Sequence, residues 1–126
     1  MSEPRVTAGA GSAESWFREN CYISEWWNDA GDGDVSVARA RVASGETTRL
    51  HRLHGITERY IILEGRGRVR VGSRINENVR PGDVVVIPPL VAQQITNIGR
   101  SDLVFLAICT PRFIPEAYED IDVDEQ

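Results

Sequence analysis

Short runs of β-branched residues, separated by glycine- and proline-rich turns, dominate the chain from residue 35 onward. Such runs, at intervals of about 8–12 residues, are typical of a β-sandwich or barrel. No helical periodicity of useful length precedes Pro115, after which the pattern predicts a short helical turn over residues 115–119. The sequence therefore predicts an all-β fold with these strands: Val35–Val42, Thr48–Leu53, Arg59–Leu63, Gly67–Val71, Val84–Ile87, Gln93–Asn97 and Leu103–Cys109.

The two ends of the chain differ in composition from this central region. Residues 1–13 are rich in Gly, Ala, Ser, Glu and Pro and are predicted to form a flexible leader. Residues 116–126 hold six acidic residues and are predicted to form an acidic C-terminal tail. With 126 residues in total, the segment 14–115 is expected to fold as a single domain.

The charge balance excludes several classes of function. All 14 basic residues are arginine, so the chain has no lysine for a Schiff base or for a Walker phosphate loop. The 19 acidic residues give a net charge of −5. Since no basic excess exists, nucleic acid is excluded as the main partner.

The chain also lacks the signals of a membrane protein. No apolar stretch approaches the roughly 18 residues of a membrane span, and the N-terminus has no apolar signal core. A soluble, cytoplasmic protein is therefore predicted. Cys21 and Cys109 lie far apart in the sequence, and two free thiols are expected in a reducing cytoplasm.

Candidate chemistry concentrates in one short segment. The only two histidines, His51 and His54, lie within eight residues of Glu58. Because side chains alternate along a strand, residues 51 and 53 share one face and residue 54 takes the other. Regular alternation therefore places one histidine inside the fold, and a bulge is needed to bring in both.

The segment 45–65 resembles the first signature of the cupin superfamily. That signature is a glycine, five residues, a His-x-His pair, three or four residues, a glutamate, six residues and a glycine; Gly45, His51, Glu58 and Gly65 fall on it. Three positions of the second signature also fall in register: Gly82, Pro88 and Asn97. The resemblance implies a double-stranded β-helix, a jelly-roll barrel with its site inside the mouth.

Three departures from these signatures bear on function. Leu53 stands where the second histidine is expected, Leu90 where a glycine is expected, and Gln93 where a further histidine is expected. The resemblance implies a divalent transition metal (Fe, Mn, Ni or Zn) held by His51, Glu58 and Gln93. His54 would join them only if the strand bulges. A barrel without a metal is the alternative.

Two further residues are candidates for contact with substrate. Tyr60 has the same parity as Glu58, so it is expected to line the barrel and donate a hydrogen bond to substrate. Arg49 has the parity of His51 and is expected to pair with a substrate carboxylate or with Glu58. Gln93 is expected either to bind a metal or to offer its amide to a ligand. Glu58 is alternatively a general base, because burial raises the pKa of a carboxylate.

The sequence leaves two functions open. The first is a metal-dependent enzyme, of oxygenase, isomerase or lyase type, that acts on a small polar or anionic metabolite. The second is a metal-free module that binds a small molecule without catalysis. A homodimer is expected in either case, because large aromatic side chains are enriched at protein interfaces. They lie near both ends of the domain: Trp16, Phe17, Trp26, Trp27, Phe113 and Tyr118.

Overall fold

The computed structural model describes residues 3–9 and 13–123, so positions 1–2 and 10–12 of the predicted leader and 124–126 of the predicted tail lie outside the described residues. Eleven strands form within the described part of the chain. Their bounds are β1 Ser15–Phe17, β2 Cys21–Trp27, β3 Ser36–Val42, β4 His51–Leu53, β5 Thr57–Glu64, β6 Gly67–Val71, β7 Ile75–Val79, β8 Val84–Ile87, β9 Gln93–Asn97, β10 Leu103–Thr110 and β11 Tyr118–Asp120.

The strands form two antiparallel sheets. One has the order β1-β2-β3-β10-β5-β8, and the other has the order β11-β4-β9-β6-β7. The inward faces of both sheets build one core, in which Ile62 and Phe105 of the first sheet are buried with Val69 and Ile95 of the second. The predicted all-β jelly roll is confirmed, because hydrophobic alternation in β5, β6, β9 and β10 points one row of side chains inward.

Three predicted strands, β6, β8 and β9, have the expected bounds, and four others differ only at their ends. Alternation did not predict β1, β2, β7 and β11. Strand β7 is an edge strand whose side chains are exposed except for Val79, so it shows no apolar periodicity. Strand β11 lies in the acidic segment after residue 116 and pairs with β4.

Gly65 shows why the first signature ends in glycine. Its φ is +83°, in the left-handed region that residues with a Cβ rarely adopt. A Cβ at this position would also come within 2.5 Å of the Asp102 carbonyl oxygen. The turn between β5 and β6 therefore packs directly against the start of β10.

The described ends of the chain make contacts with the barrel. The Arg5 guanidinium lies 4.7 Å from the centre of the Trp27 ring. A 3₁₀ turn at Pro115–Ala117 falls where the sequence predicts a helical turn, and it leads into β11. Within the described residues, no helix is long and apolar enough to cross a membrane.

Candidate functional site

A cavity lies on the inner face of the six-stranded sheet. Ala38, Ala40 and Ala107 line it, and their short side chains leave space that larger residues would fill. Phe105 and Tyr60 form part of the wall, with their rings 4.5 Å apart. The wall of the cavity therefore combines apolar side chains with several polar ones, which are Glu19, Glu25, Asn28, Ser36 and Glu58.

Glu58 is the central polar group of this cavity. It faces inward from β5 and pairs in register with Cys109 of β10, whose thiol donates to Oε2 across 3.7 Å. Its other oxygen, Oε1, is buried without a hydrogen-bond partner. Burial, opposed by the charge of His51 and assisted by that of Glu19, raises the pKa of Glu58 to about 7.

Tyr60 and Gln93 connect the two sheets beside Glu58. The Tyr60 hydroxyl donates a hydrogen bond to Oε1 of Gln93, which lies on β9 in the opposite sheet. Both side chains are almost fully buried. Burial, followed by the charge of Glu58, holds the pKa of Tyr60 well above its usual value, so Tyr60 keeps its proton and acts as a donor.

His51 is the one histidine inside the fold. It pairs with Gln93 across β4 and β9, and its Nδ1 donates to the Arg49 carbonyl oxygen over 2.7 Å. Its Nε2 lies 3.4 Å from Oε2 of Glu19, which is largely buried in the turn before β2. Its ring stacks on Tyr118 of β11, with 5.0 Å between the ring centres. His51 is therefore held in one orientation.

His54 and Arg49 lie apart from this group. The His54 side chain is 53% exposed and contacts Glu119 of β11 over 2.7 Å, because no bulge in β4 turns it inward. The Arg49 guanidinium forms an ion pair with Asp120, which also lies on β11, over 3.0 Å. Glu58 and Tyr60 line the cavity, and Gln93 connects Tyr60 to His51 behind that lining. His54 and Arg49 lie apart from all four.

The donors present do not fit a resident transition metal. In the described ranges 3–9 and 13–123, no three side chains of the His, Cys, Asp or Glu type are placed to hold an ion. Only His51 supplies an inward imidazole. Gln93 offers a neutral amide oxygen that already accepts a hydrogen bond from Tyr60, and a neutral amide is a poor transition-metal ligand. The metal site predicted from His51, His54, Glu58 and Gln93 is therefore not assembled.

Two polar neighbours of this group were not predicted from the sequence. Glu19 reaches His51 from the turn between β1 and β2, and its Oε1 accepts a hydrogen bond from Cys21 over 3.3 Å. The sequence predicts Cys109 to be a small buried apolar residue, but its thiol also contacts Glu58. No local pattern marks either residue, because the contacts of Glu19 with His51 and of Cys109 with Glu58 join segments that are distant in sequence.

Comparison with known proteins identifies relatives along most of the chain. The family model described as "Cupin domain" matches residues 38–109. An uncharacterized protein of Methanocaldococcus jannaschii is 38% identical over 90 residues, which are 71% of this chain and 69% of that protein.

Solved structures of similar fold include several enzymes. The Streptomyces nucleoside dehydratase Pac13 superposes with a TM-score of 0.79 at 12% identity, over 98% of this chain and 95% of that one. KdgF from Halomonas sp. gives 0.76 at 12% identity, over 86% and 96%. Oxalate decarboxylase from Lactobacillus farciminis gives 0.75 at 21% identity over 89% of this chain, which spans 34% of that protein. At these identities the likeness is one of fold.

Proposed function

The chain belongs to the cupin family, and we propose that it is a metal-independent acid–base enzyme, of lyase or isomerase type, acting on a small molecule inside the barrel. The observation that carries this proposal is Glu58, which lines the cavity and whose Oε1 is buried without a hydrogen-bond partner. An unpartnered buried carboxyl oxygen is costly to the fold, and a ligand in the cavity would supply the missing partner.

Proton transfer is the chemistry that these residues support. As a carboxylate, Glu58 takes a proton from a substrate carbon, and the electron pair of that C–H bond forms a carbon–carbon double bond. The C–O bond of a hydroxyl group on the adjacent carbon then breaks. The departing oxygen receives the proton from Glu58 and leaves as water. A pKa of about 7 lets Glu58 serve in both forms near neutral pH. The step needs no oxidant, and it returns Glu58 to its starting state.

The neighbours of Glu58 would position the substrate. Tyr60 keeps its proton and offers a buried hydroxyl next to the carboxyl group. Gln93 orients that hydroxyl by accepting a hydrogen bond from it, and His51 adds a polar group on the opposite sheet. Pac13, a protein of similar fold, is by its name a nucleoside dehydratase, so a small barrel of this kind accommodates elimination of water.

The direct test is proton exchange by the purified protein in D₂O. A panel of small carbonyl and β-hydroxy compounds of neutral, anionic and cationic types is followed by NMR for deuterium uptake or loss of water. At least one compound should react, and Glu58→Gln should lower its rate about 10²-fold or more. Excess EDTA should leave the rate unchanged.

Matched histidine variants locate the activity. His51→Gln should lower the rate, whereas His54→Gln should leave it at the wild-type value, because His54 lies outside the cavity. Equal rates in wild type and Glu58→Gln, or a rate that EDTA abolishes and added metal restores, would overturn the proposal. Binding of a compound without any reaction would support the non-catalytic module instead.

We extend the proposal to a homodimer. Apolar side chains remain exposed on the edge strands of the six-stranded sheet: Val84 and Val86 on β8 are more than half exposed, as is Trp16 on β1. A second copy would cover such positions. Light scattering coupled to size-exclusion chromatography should give twice the chain mass. A monomeric mass at the same concentration would contradict the dimer.

A further inference from the structure

The charge of the cavity points to the class of its ligand. Three carboxylates line it, one from the turn before β2, one from β2 and one from β5: Glu19, Glu25 and Glu58. Among the described residues that line the cavity, none is arginine or histidine. An anion would therefore enter a chamber lined by carboxyl groups, where like charges repel.

The aromatic side chains of the wall add a second, independent feature. Four rings line the same cavity: Phe17, Tyr60, Phe105 and Phe113. The face of an aromatic ring attracts a cation that lies within about 6 Å of its centre. Quaternary and other alkylated ammonium groups are recognised in this way, because their methyl groups pack against rings while the charge meets the ring face.

Three basic groups lie near the cavity, and none of the three is among its lining residues. Arg18 lies over the Tyr118 ring, 4.7 Å from its centre, and 5.8 Å from the centre of the Phe17 ring, which lines the cavity. Arg112 donates to the Asn28 side chain over 2.8 Å. His51 lies behind the lining and faces Glu19. Glu58, which lines the chamber, remains more than nine-tenths buried, and its Oε1 has no hydrogen-bond partner.

We infer that the barrel binds small organic cations, with an alkylated ammonium group held between the aromatic rings and the three carboxylates. The inference rests on the proposed function in that it concerns the same cavity. It departs from the anionic metabolite and from the Arg49 contact that the sequence suggested, since Arg49 is paired with Asp120 outside the cavity.

Three molecules of almost equal shape provide the test. Choline is the cation, 3,3-dimethyl-1-butanol is its neutral isostere, and 3,3-dimethylbutanoate is an anion of similar volume. Titration calorimetry with the full chain should show that choline binds at least about tenfold more tightly than the alcohol. The anion should show no measurable binding at the same concentration.

Two single variants assign the preference to the cavity. Glu25→Gln removes one lining charge near the surface, so it should weaken choline binding severalfold and leave the alcohol unaffected. Glu77→Gln removes a charge from exposed strand β7, and it should change neither affinity. Equal affinity for choline and the alcohol, tighter binding of the anion, or no binding of choline would each overturn the inference.

Binding and proton exchange separate the cation site from the enzyme activity. If choline binds and no compound of the panel exchanges protons, the cation site is supported and the proposed enzyme activity is contradicted. If choline fails to bind but a neutral or anionic compound exchanges protons in a reaction that depends on Glu58, the enzyme activity is supported and the cation site is contradicted.

Discussion

The Tyr60 hydroxyl donates a hydrogen bond to the Gln93 side-chain oxygen, and this bond joins the two sheets beside the cavity. Gln93 stands where the cupin signature has a histidine, so the position that is expected to bind a metal instead receives a proton donor. Tyr60 lines the same chamber as Glu58. The bond therefore links the altered signature to the acid–base character of the site.

Removing this bond should destabilise the fold. Tyr60→Phe leaves Oε1 of Gln93 buried without a partner, which costs about 1–3 kcal/mol of unfolding free energy. Urea denaturation of Tyr60→Phe, Gln93→Leu and the double variant measures the coupling between the two side chains. The double variant should lose less stability than the two single losses combined. Strict additivity would show that the two side chains do not interact.

Glu58 should make the stability of the fold depend on pH. The folded-state pKa is about 7 against 4.5 for an ordinary glutamate, so the folded protein holds the proton more tightly. Stability is therefore highest below pH 4.5 as far as this group is concerned, and it falls as the pH rises through 7. The unfolding free energy lost is on the order of 3 kcal/mol, because each pH unit by which the folded-state pKa exceeds the unfolded-state pKa corresponds to about 1.4 kcal/mol.

Glu58→Gln removes this pH dependence and keeps the side-chain shape. The variant should be more stable than wild type at pH 8, and the difference should disappear near pH 4.5. Urea denaturation at both pH values measures it. A variant that is less stable than wild type at pH 8 would indicate that the carboxylate is paired in the folded protein.

Metal binding should depend on the positions that depart from the signature. Leu53 is buried on the same face of β4 as His51, and Gln93 is the strand partner of His51. Wild-type protein soaked in Zn²⁺ and desalted should retain no stoichiometric metal by elemental mass spectrometry, whereas Leu53→His/Gln93→His should retain it. Stoichiometric metal in wild type that disappears in His51→Ala would contradict the assignment.

Leu90, which stands where the cupin signature has a glycine, carries backbone strain. Its φ is +66°, in the left-handed region. Its side chain is 52% exposed, so little burial is lost on truncation. Leu90→Gly should be about 0.5–1 kcal/mol more stable than Leu90→Ala, which keeps the Cβ and the strain. Thermal unfolding of the two variants tests this, and equal stability would show that the backbone is unstrained.

Much of the barrel could be predicted from the sequence because its central strands alternate strictly. Strand β6 shows the pattern Gly67, Val69, Val71 on the buried face and Arg68, Arg70 on the exposed face, and its bounds match the prediction. The edge strands could not be predicted in this way. Strand β7 packs few residues inward, and β11 is held against β4 by ion pairs such as that between Arg52 and Glu119.

The site was predictable only where strand parity or the family resemblance applied. Parity predicted one inward histidine and placed Tyr60 on the face of Glu58, whereas the resemblance placed Glu58 and Gln93 in the barrel. His51, Glu58, Tyr60 and Gln93 are all buried. Parity failed for Arg49, because that residue precedes β4 and its side chain turns to Asp120. It could not have found Glu19, which reaches the site from a turn.

The proposed mechanism depends above all on the protonation of Glu58, and NMR of protein labelled with ¹³C at the glutamate side-chain carboxyl measures it directly. Glu58→Gln assigns the resonance by its disappearance. In protein freed of metal by EDTA, the Glu58 carboxyl should titrate with a midpoint near pH 7. A midpoint near 4.5, or a signal that shifts only when a divalent metal is added, would contradict the mechanism.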